Sequence, residues 1–278
     1  MPAEPDRPYL TGIAPPLITL LTDFGLDDAY VGIMKGVMLR INPAVRLVDL
    51  THAVPPQQVL AAALILRSAV AFFPEGTIHV AVVDPGVGSA RRAILIEADR
   101  GTLVGPDNGV LCPAAALMGR RKARWLANEK FFLPHVSQSF HGRDIFAPVA
   151  AHLSRGVTPE EFGPVLDSIV EVDIPAPRRI GSTLVGEVVH VDHFGNLVTN
   201  ITGDALACFP AQQLWVSISG TPIGALRAAY SVVAEGAALA LLGSWGTVEV
   251  AVRNGSAAKM FAAGPGTPVT VVVESRET

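Results

Sequence analysis

Asp84 and Arg91 stand at either end of a tight loop in Val82-Val-Asp-Pro-Gly-Val-Gly-Ser-Ala-Arg-Arg92, where an acid leaves an apolar run and a cation returns. Such a pair is either a structural ion pair or a charged pair that holds a water molecule. Gly86 and Gly88 match neither a dinucleotide-binding fingerprint nor a P-loop, so they read as backbone bends. Phe140-His-Gly-Arg-Asp144 adds His141, in a loop ahead of an apolar helix expected near Ile145. A lone histidine is more often structural than catalytic, unless other polar groups converge on it. Asp23, Asp49 with His52, Asp84, and Asp107 with Asn108 each close an apolar run. Singly they read as caps or turn formers. Four on one sheet edge would line a site with acceptors, suited to ribose hydroxyls or a cation. In Val191-Asp-His-Phe-Gly-Asn196, Asp192 and Asn196 either build a turn or reach a ligand lodged against the first half of the chain.

The elements that must position these groups follow from periodicity. Leu17 to Leu21, Val45 to Leu50, Ile78 to Val83, Ala93 to Glu97 and Thr102 to Val104 read as strands. Tyr30, Ile33, Met34, Val37, Met38 and Ile41 recur with helical spacing, after Asp27 or Asp28 as cap and before Asn42-Pro43 as stop. Pro55-Pro56 suit the first turn of a second helix running to about Phe73. Strands alternating with helices predict an α/β domain over residues 1–172 with a mostly parallel sheet covered on both faces. Ligands of such sheets bind beyond the carboxyl ends of the strands, where the acids lie. Residues 173–182, with Ile174-Pro-Ala-Pro-Arg-Arg179, read as a linker. Over 183–278, short strands at Val185–Val191, Leu197–Ile201, Leu214–Ser219, Leu239–Leu242, Thr247–Val252 and Val269–Glu274 predict a small antiparallel barrel or sandwich.

Composition excludes several classes. Half of the 278 residues are apolar and 17% are charged, which marks a folded globular chain. A net charge of −4 argues against a nucleic-acid partner, and Arg120-Arg121-Lys122 and Arg178-Arg179 read as solvated loop residues. Cys112 and Cys208 form no Cys-x-x-Cys pair, so they read as small buried apolar residues and not as metal ligands. Met1 to Pro16 lacks the layout of a signal peptide, and the apolar run Val59 to Leu66 stops at Arg67. A soluble, cytoplasmic protein is the expectation.

Four motifs in order, Val-Val-Asp-Pro-Gly-Val-Gly (82–88), Gly-Pro-Asp-Asn-Gly (105–109), Phe-His-Gly-Arg-Asp (140–144) and Asp-His-Phe-Gly-Asn (192–196), resemble the S-adenosylmethionine hydroxide adenosyltransferase family. These enzymes are relatives of the fluorinases and chlorinases. The likeness runs from Leu20-Leu-Thr-Asp-Phe-Gly25 to Glu249-Val-Ala-Val252. It implies an α/β domain, a C-terminal β-barrel that completes the adenine and methionine site, and a homotrimer with sites between neighbouring subunits. It also implies a catalytic trio matching Asp84, Arg91 and His141, with Asp23 as the ribose-holding carboxylate. Asp192, Asn196, Tyr230, Ser244 and Glu249 fall where adenine and methionine contacts are expected, and the backbone near Val252 meets the adenine. Gln57, Trp245 and Arg253 depart from the family pattern.

The implied reaction is hydrolysis of S-adenosylmethionine to adenosine and methionine by water, without metal or cofactor. Its leaving group departs from a sulfonium as a neutral thioether and needs no general acid. A halogenase of the same fold is the rival, disfavoured because an anion beside Asp84 is repelled. A non-catalytic S-adenosylmethionine or adenosine sensor is the other, and it has no use for the trio.

Overall fold

The computed structural model describes residues 15–207, 209 and 214–273. The chain divides after Val172 into two compact units. In the first, β1 (Leu17–Thr22), α1 (Tyr30–Ile41), β2 (Arg46–Thr51), α2 (Val59–Val70), β3 (Thr77–Val82), β4 (Ala93–Ala98), β5 (Gly101–Pro106), α3 (Cys112–Leu117), β6 (Arg120–Trp125) and α4 (Ala147–Ser154) follow in order. The sheet order is β2-β1-β3-β5-β4-β6. Strands β2, β1, β3 and β5 run parallel, and β4 is antiparallel to both its neighbours. Successive residues of a strand face opposite sides, so Leu20 packs with Met34, Met38 and Phe146. Leu21 packs on the other face with Ala62, Leu66 and Ala114. Every residue of β3 is buried, as expected of a central strand covered on both sides.

Four local expectations need correction. Neither Asp27 nor Asp28 caps α1, whose first flanking residue is Ala29 with no side-chain cap. Helix α2 begins at Val59 and not at Pro55, because Gln57 has φ 65, a left-handed conformation through which no helix passes. Arg120-Arg121-Lys122 are not loop residues but the start of the edge strand β6, whose polar face hides its strand character. Lys122 pairs across from Glu97, and Arg124 donates to Glu97 over 2.7 Å. The helix after His141 starts earlier than Ile145, with a π-type turn at Gly142–Phe146 that runs into α4.

The second unit holds β7 (Arg178–Ile180), β8 (Thr183–Val191), β9 (Leu197–Thr202), α5 (Gly203–Ala207), β10 (Leu214–Ile218), β11 (Thr221–Arg227), β12 (Ala238–Leu242), β13 (Thr247–Val252), α6 (Ala257–Met260) and β14 (Pro268–Val273). Seven strands close a barrel in the order β8-β14-β10-β11-β12-β13-β9, around Leu184, Val188, Leu197, Val216, Val250 and Val271. The barrel is therefore the outcome between barrel and sandwich. It is not wholly antiparallel, since β11 and β12 run parallel. Strand β11 escapes prediction because Pro222 and Gly224 interrupt its apolar pattern. Strand β7, inside the stretch read as linker, pairs with the start of β8, so Arg178 and Arg179 are strand residues. Cys112 is buried with its thiol on the Val170 carbonyl at 3.1 Å. Cys208 and Glu274 lie outside the described residues. Among the described residues no helix is long and apolar enough to cross a membrane.

Candidate active site

The register of β1 against β3 sets Thr22 beside Val82, so Asp23 and Asp84 emerge near each other at the carboxyl edge of the parallel strands. The loop after β3 folds back through two turns, with the Val87 amide on the Asp84 carbonyl and the Ser89 amide on the Gly86 carbonyl. Gly88 has φ +77, and a Cβ there would lie 2.3 Å from the Gln138 carbonyl oxygen. Only glycine lets this loop pack so closely on the segment leading to His141.

The folded-back loop delivers Arg91 onto Asp84. Arg91 Nε donates to Asp84 Oδ1 at 2.8 Å and to Oδ2 at 3.0 Å, and Arg91 Nη2 also donates to Oδ2. Their side chains are only 11% and 5% exposed, so the pair is well shielded from water. Arg91 Nη2 also lies 2.9 Å from His141 Nδ1, and its guanidinium sits 5.3 Å over the buried ring of Phe146. A guanidinium can only donate, so Nδ1 is an acceptor and the neutral imidazole carries its proton on Nε2. Burial and the Arg91 charge hold His141 below the usual histidine range, against the opposing pull of Asp84, Asp144 and the Ser137 backbone. Asp84, Arg91 and His141 thus converge, which is the condition under which His141 stops reading as merely structural.

Asp23 Oδ2 accepts from the Gln57 amide at 2.8 Å. The left-handed turn at Gln57 therefore has a consequence, for it aims that N–H at Asp23. The other two strand-end acids are otherwise engaged, and the expectation of four free acceptors on one edge is corrected. Asp107 is buried and holds Arg92 Nε and the Val170 amide, each at 2.8 Å. Asp49 pairs with Lys35 Nζ at 2.6 Å and lies 3.1 Å from His52 Nε2, while His52 Nδ1 meets Thr22 Oγ1 at 2.8 Å. Of these ties, the one through His52 steadies the loop holding Asp23, since the Gly25 amide also donates to the His52 carbonyl at 2.8 Å. Among the described residues no cluster of His, Cys, Asp or Glu is arranged to hold a metal ion.

In the barrel unit Asp192 and Asn196 build the turn between β8 and β9. Asp192 Oδ1 accepts from the amides of Phe194 at 2.9 Å and Asn196 at 2.8 Å, and Oδ2 accepts from Asn196 Nδ2 at 2.9 Å. Asn196 keeps its side-chain carbonyl and second amide proton. Tyr230 donates to Glu249 Oε1 at 2.5 Å, over a glycine (Gly243) whose Cβ would fall 2.6 Å from Glu249 Oε2. Burial pushes Glu249 above the ordinary carboxyl range and Asp192 adds to it, while Tyr230 opposes. Burial, Glu249 and Asp192 all raise the Tyr230 phenol. Asp192, Asn196, Tyr230 and Glu249 therefore form one interacting group, with Val252 buried at the end of β13. Ser244 is exposed in the turn between β12 and β13.

Two departures from the family pattern have visible work. Trp245, beside Ser244, stacks on His190 at 5.0 Å between ring centres. Arg253 donates to the Val233 carbonyl at 2.7 Å and so anchors the segment after Tyr230. Residue reading missed both tasks, and also missed an aromatic cluster of Phe24, Tyr30 and Phe140 with ring centres 5.1–5.9 Å apart. That cluster joins the Asp23 loop, α1 and the residue before His141. Its only sequence signal is that Phe24 and Phe140 adjoin the candidate residues Asp23 and His141.

An α/β unit with this trio at its strand ends, followed by a barrel, defines a class. The N-terminal domain of the SAM hydroxide adenosyltransferases matches residues 18–163 and their C-terminal domain matches 186–270, and the chain belongs to that family. An (R)-S-adenosyl-L-methionine hydrolase of Salinispora tropica is 42% identical over 254 residues, 90% of this chain and 95% of the relative. A fluorinase of an Actinoplanes species is 32% identical, over 67% of this chain and 72% of its own. The crystal structure of an uncharacterized conserved protein from Thermotoga maritima superimposes with a TM-score of 0.86 at 37% identity, covering 92% of this chain and 99% of that one.

Proposed function

We propose that this protein hydrolyses S-adenosyl-L-methionine to adenosine and L-methionine, with water attacking the ribose 5′ carbon. The observation that carries the reading is the convergence of Asp84, Arg91 and His141, a shielded carboxylate held by one guanidinium beside a neutral imidazole. As the new carbon–oxygen bond forms, the carbon–sulfur electrons pass to sulfur, and methionine leaves as a neutral thioether. The attacking water gives up a proton, and Asp84 is the acceptor, since Oδ1 accepts from Arg91 only once and keeps a lone pair, whereas Oδ2 takes two Arg91 donors. Arg91 and His141 orient that carboxylate. Aiming one water in line with the breaking bond is worth several kcal/mol, at about 1.4 kcal/mol per tenfold in rate. Acids near the sulfonium aid binding more than rate, because the positive charge fades in the transition state.

In this reading residues 1–172 hold the reacting groups and Asp23 the ribose diol. Residues 173–182 join them to the barrel of 183–278, where Asp192, Asn196, Tyr230, Ser244, Glu249 and the Val252 backbone meet the adenine and methionine ends. The two sets come together between neighbouring subunits of a cytoplasmic homotrimer. Mixing Asp84→Asn and Asn196→Ala chains would then restore intact sites, and no recovery in verified mixed trimers would overturn the shared site.

The test of the reaction is incubation with S-adenosylmethionine in heavy-oxygen water with a chelator present. Adenosine and methionine appear in equal amounts, with label in the 5′-hydroxyl only. Activity that needs a divalent ion would sink the metal-free mechanism. A 5′-halo-adenosine as main product in ordinary chloride would sink the hydrolase reading, against the repulsion a halide meets beside Asp84.

A further inference from the structure

Asp144 has no part in the reaction as proposed, yet it lies three residues beyond His141 with its side chain fully buried. Burying a carboxylate is costly unless donors surround it. Here the Ser137 amide donates to Asp144 Oδ2 at 2.8 Å, while Arg143 donates through Nε to Oδ1 at 2.5 Å and through Nη2 to Oδ2 at 3.0 Å. Ser137 in turn accepts the Phe140 amide on its hydroxyl at 3.0 Å, and the Phe140 carbonyl accepts the amides of Arg143 and Asp144. The Asp144 carbonyl takes the Leu133 amide at 2.9 Å. His141 therefore sits on a short loop with both flanks tied to one carboxylate, at the mouth of the π-type turn Gly142–Phe146. Such turns are rare and are often found at functional sites.

We propose that Asp144 is a positioning residue for His141, pinning Ser137 and Arg143 to one point so that the imidazole is held against Arg91. The proposal rests on the reading of Asp84, Arg91 and His141 as the reacting trio. The groups that face His141 are Arg91 and Asp84 from the loop after β3, the Ser137 backbone, and Asp144 itself. Only the neutral ring accepts from Arg91, so activity falls as pH drops through the His141 titration. Removing the Asp144 charge takes away one stabiliser of the imidazolium and moves that titration to lower pH.

The experiment is Asp144→Asn, read by kcat and KM for S-adenosylmethionine across pH and by an NMR titration of the His141 ring. The expected result is a fall in kcat of about tenfold or more, the usual scale for a displaced catalytic group. KM should move less than about threefold, and the acid limb and ring titration should shift down together. An unchanged titration, with kcat within about twofold of the parent, would overturn the proposal. Should Asp144→Asn fail to fold, Arg143→Gln decides, because its side chain is 34% exposed and its loss leaves the Ser137 bond in place. It unmasks the Asp144 charge, so the His141 titration shifts up, and no shift overturns the proposal. The titration needs no turnover, so a parent enzyme inert toward S-adenosylmethionine would count against the hydrolase reading alone.

Discussion

Arg91 and His141 are joined by a single bond, Nη2 to Nδ1 at 2.9 Å, from the same guanidinium that grips Asp84 with Nε. One side chain thereby sets the tautomer of the imidazole and the orientation of the carboxylate.

Arg91→Lys is expected to fail at this double task. Lysine keeps the charge but is a point donor on a flexible stem and cannot present two nitrogens in a fixed plane. Turnover should fall by roughly a hundredfold or more, the scale set by misplacing a reacting group. Steady-state kinetics with a melting curve checks this, and near-parental kcat in a folded variant would count against the bridge.

Asp84→Asn separates chemistry from binding. The amide keeps the shape and loses the proton acceptor. Affinity for S-adenosylmethionine by titration calorimetry should stay within about tenfold, or about 1.4 kcal/mol, while turnover collapses. Normal turnover would remove Asp84 from the reaction.

Asp23 and Gln57 make a paired prediction. Asp23→Ala should weaken ligand binding by roughly ten- to a hundredfold, through loss of charge-assisted hydrogen bonds to the ribose. Gln57→Val should weaken it less, because a β-branched residue resists φ 65 and draws the amide away from Asp23. Gln57→Gly tolerates that φ and retains the amide, so it should bind like the parent. Equal affinities for the valine and glycine variants would show that the turn does not hold Asp23.

His79 predicts an acid-sensitive fold. It is 1% exposed in β3 with Nδ1 2.8 Å from Thr19 Oγ1, and burial pushes its pKa down to about 4. Above the unfolded value of about 6.5 both states are neutral and His79 adds no pH dependence. Below it the unfolded chain takes up a proton that the native ring refuses, so stability falls as pH drops from about 6.5 to about 4. The slope is at most about 1.4 kcal/mol per pH unit. Urea titrations across that range check it, and His79→Gln should remove this share of the loss. An identical acid profile in the variant would assign the sensitivity elsewhere.

Much of this protein is legible in its residues because local pattern carries real constraints. Strands of apolar residues alternating with helices demand a parallel sheet, and a parallel sheet puts Asp23 and Asp84 on one edge whatever else the chain does. The spacing of Asp84 and Arg91 across a glycine-containing loop likewise admits their pairing. Partners distant in the chain were decided only by the tertiary structure. Asp107 looks as available as Asp84 until Arg92 and Val170 are seen to occupy it, and Asp49 until Lys35 and His52 close on it. Barrel and sandwich share the same strands, and only the pairing of β8 with β14, far apart in sequence, closes the ring. Edge strand β6 and the left-handed Gln57 escaped for the same reason. A residue's neighbours in sequence set its local conformational preferences, whereas its hydrogen-bond partners across the fold decide which preference is realised and which side chains stay free for chemistry.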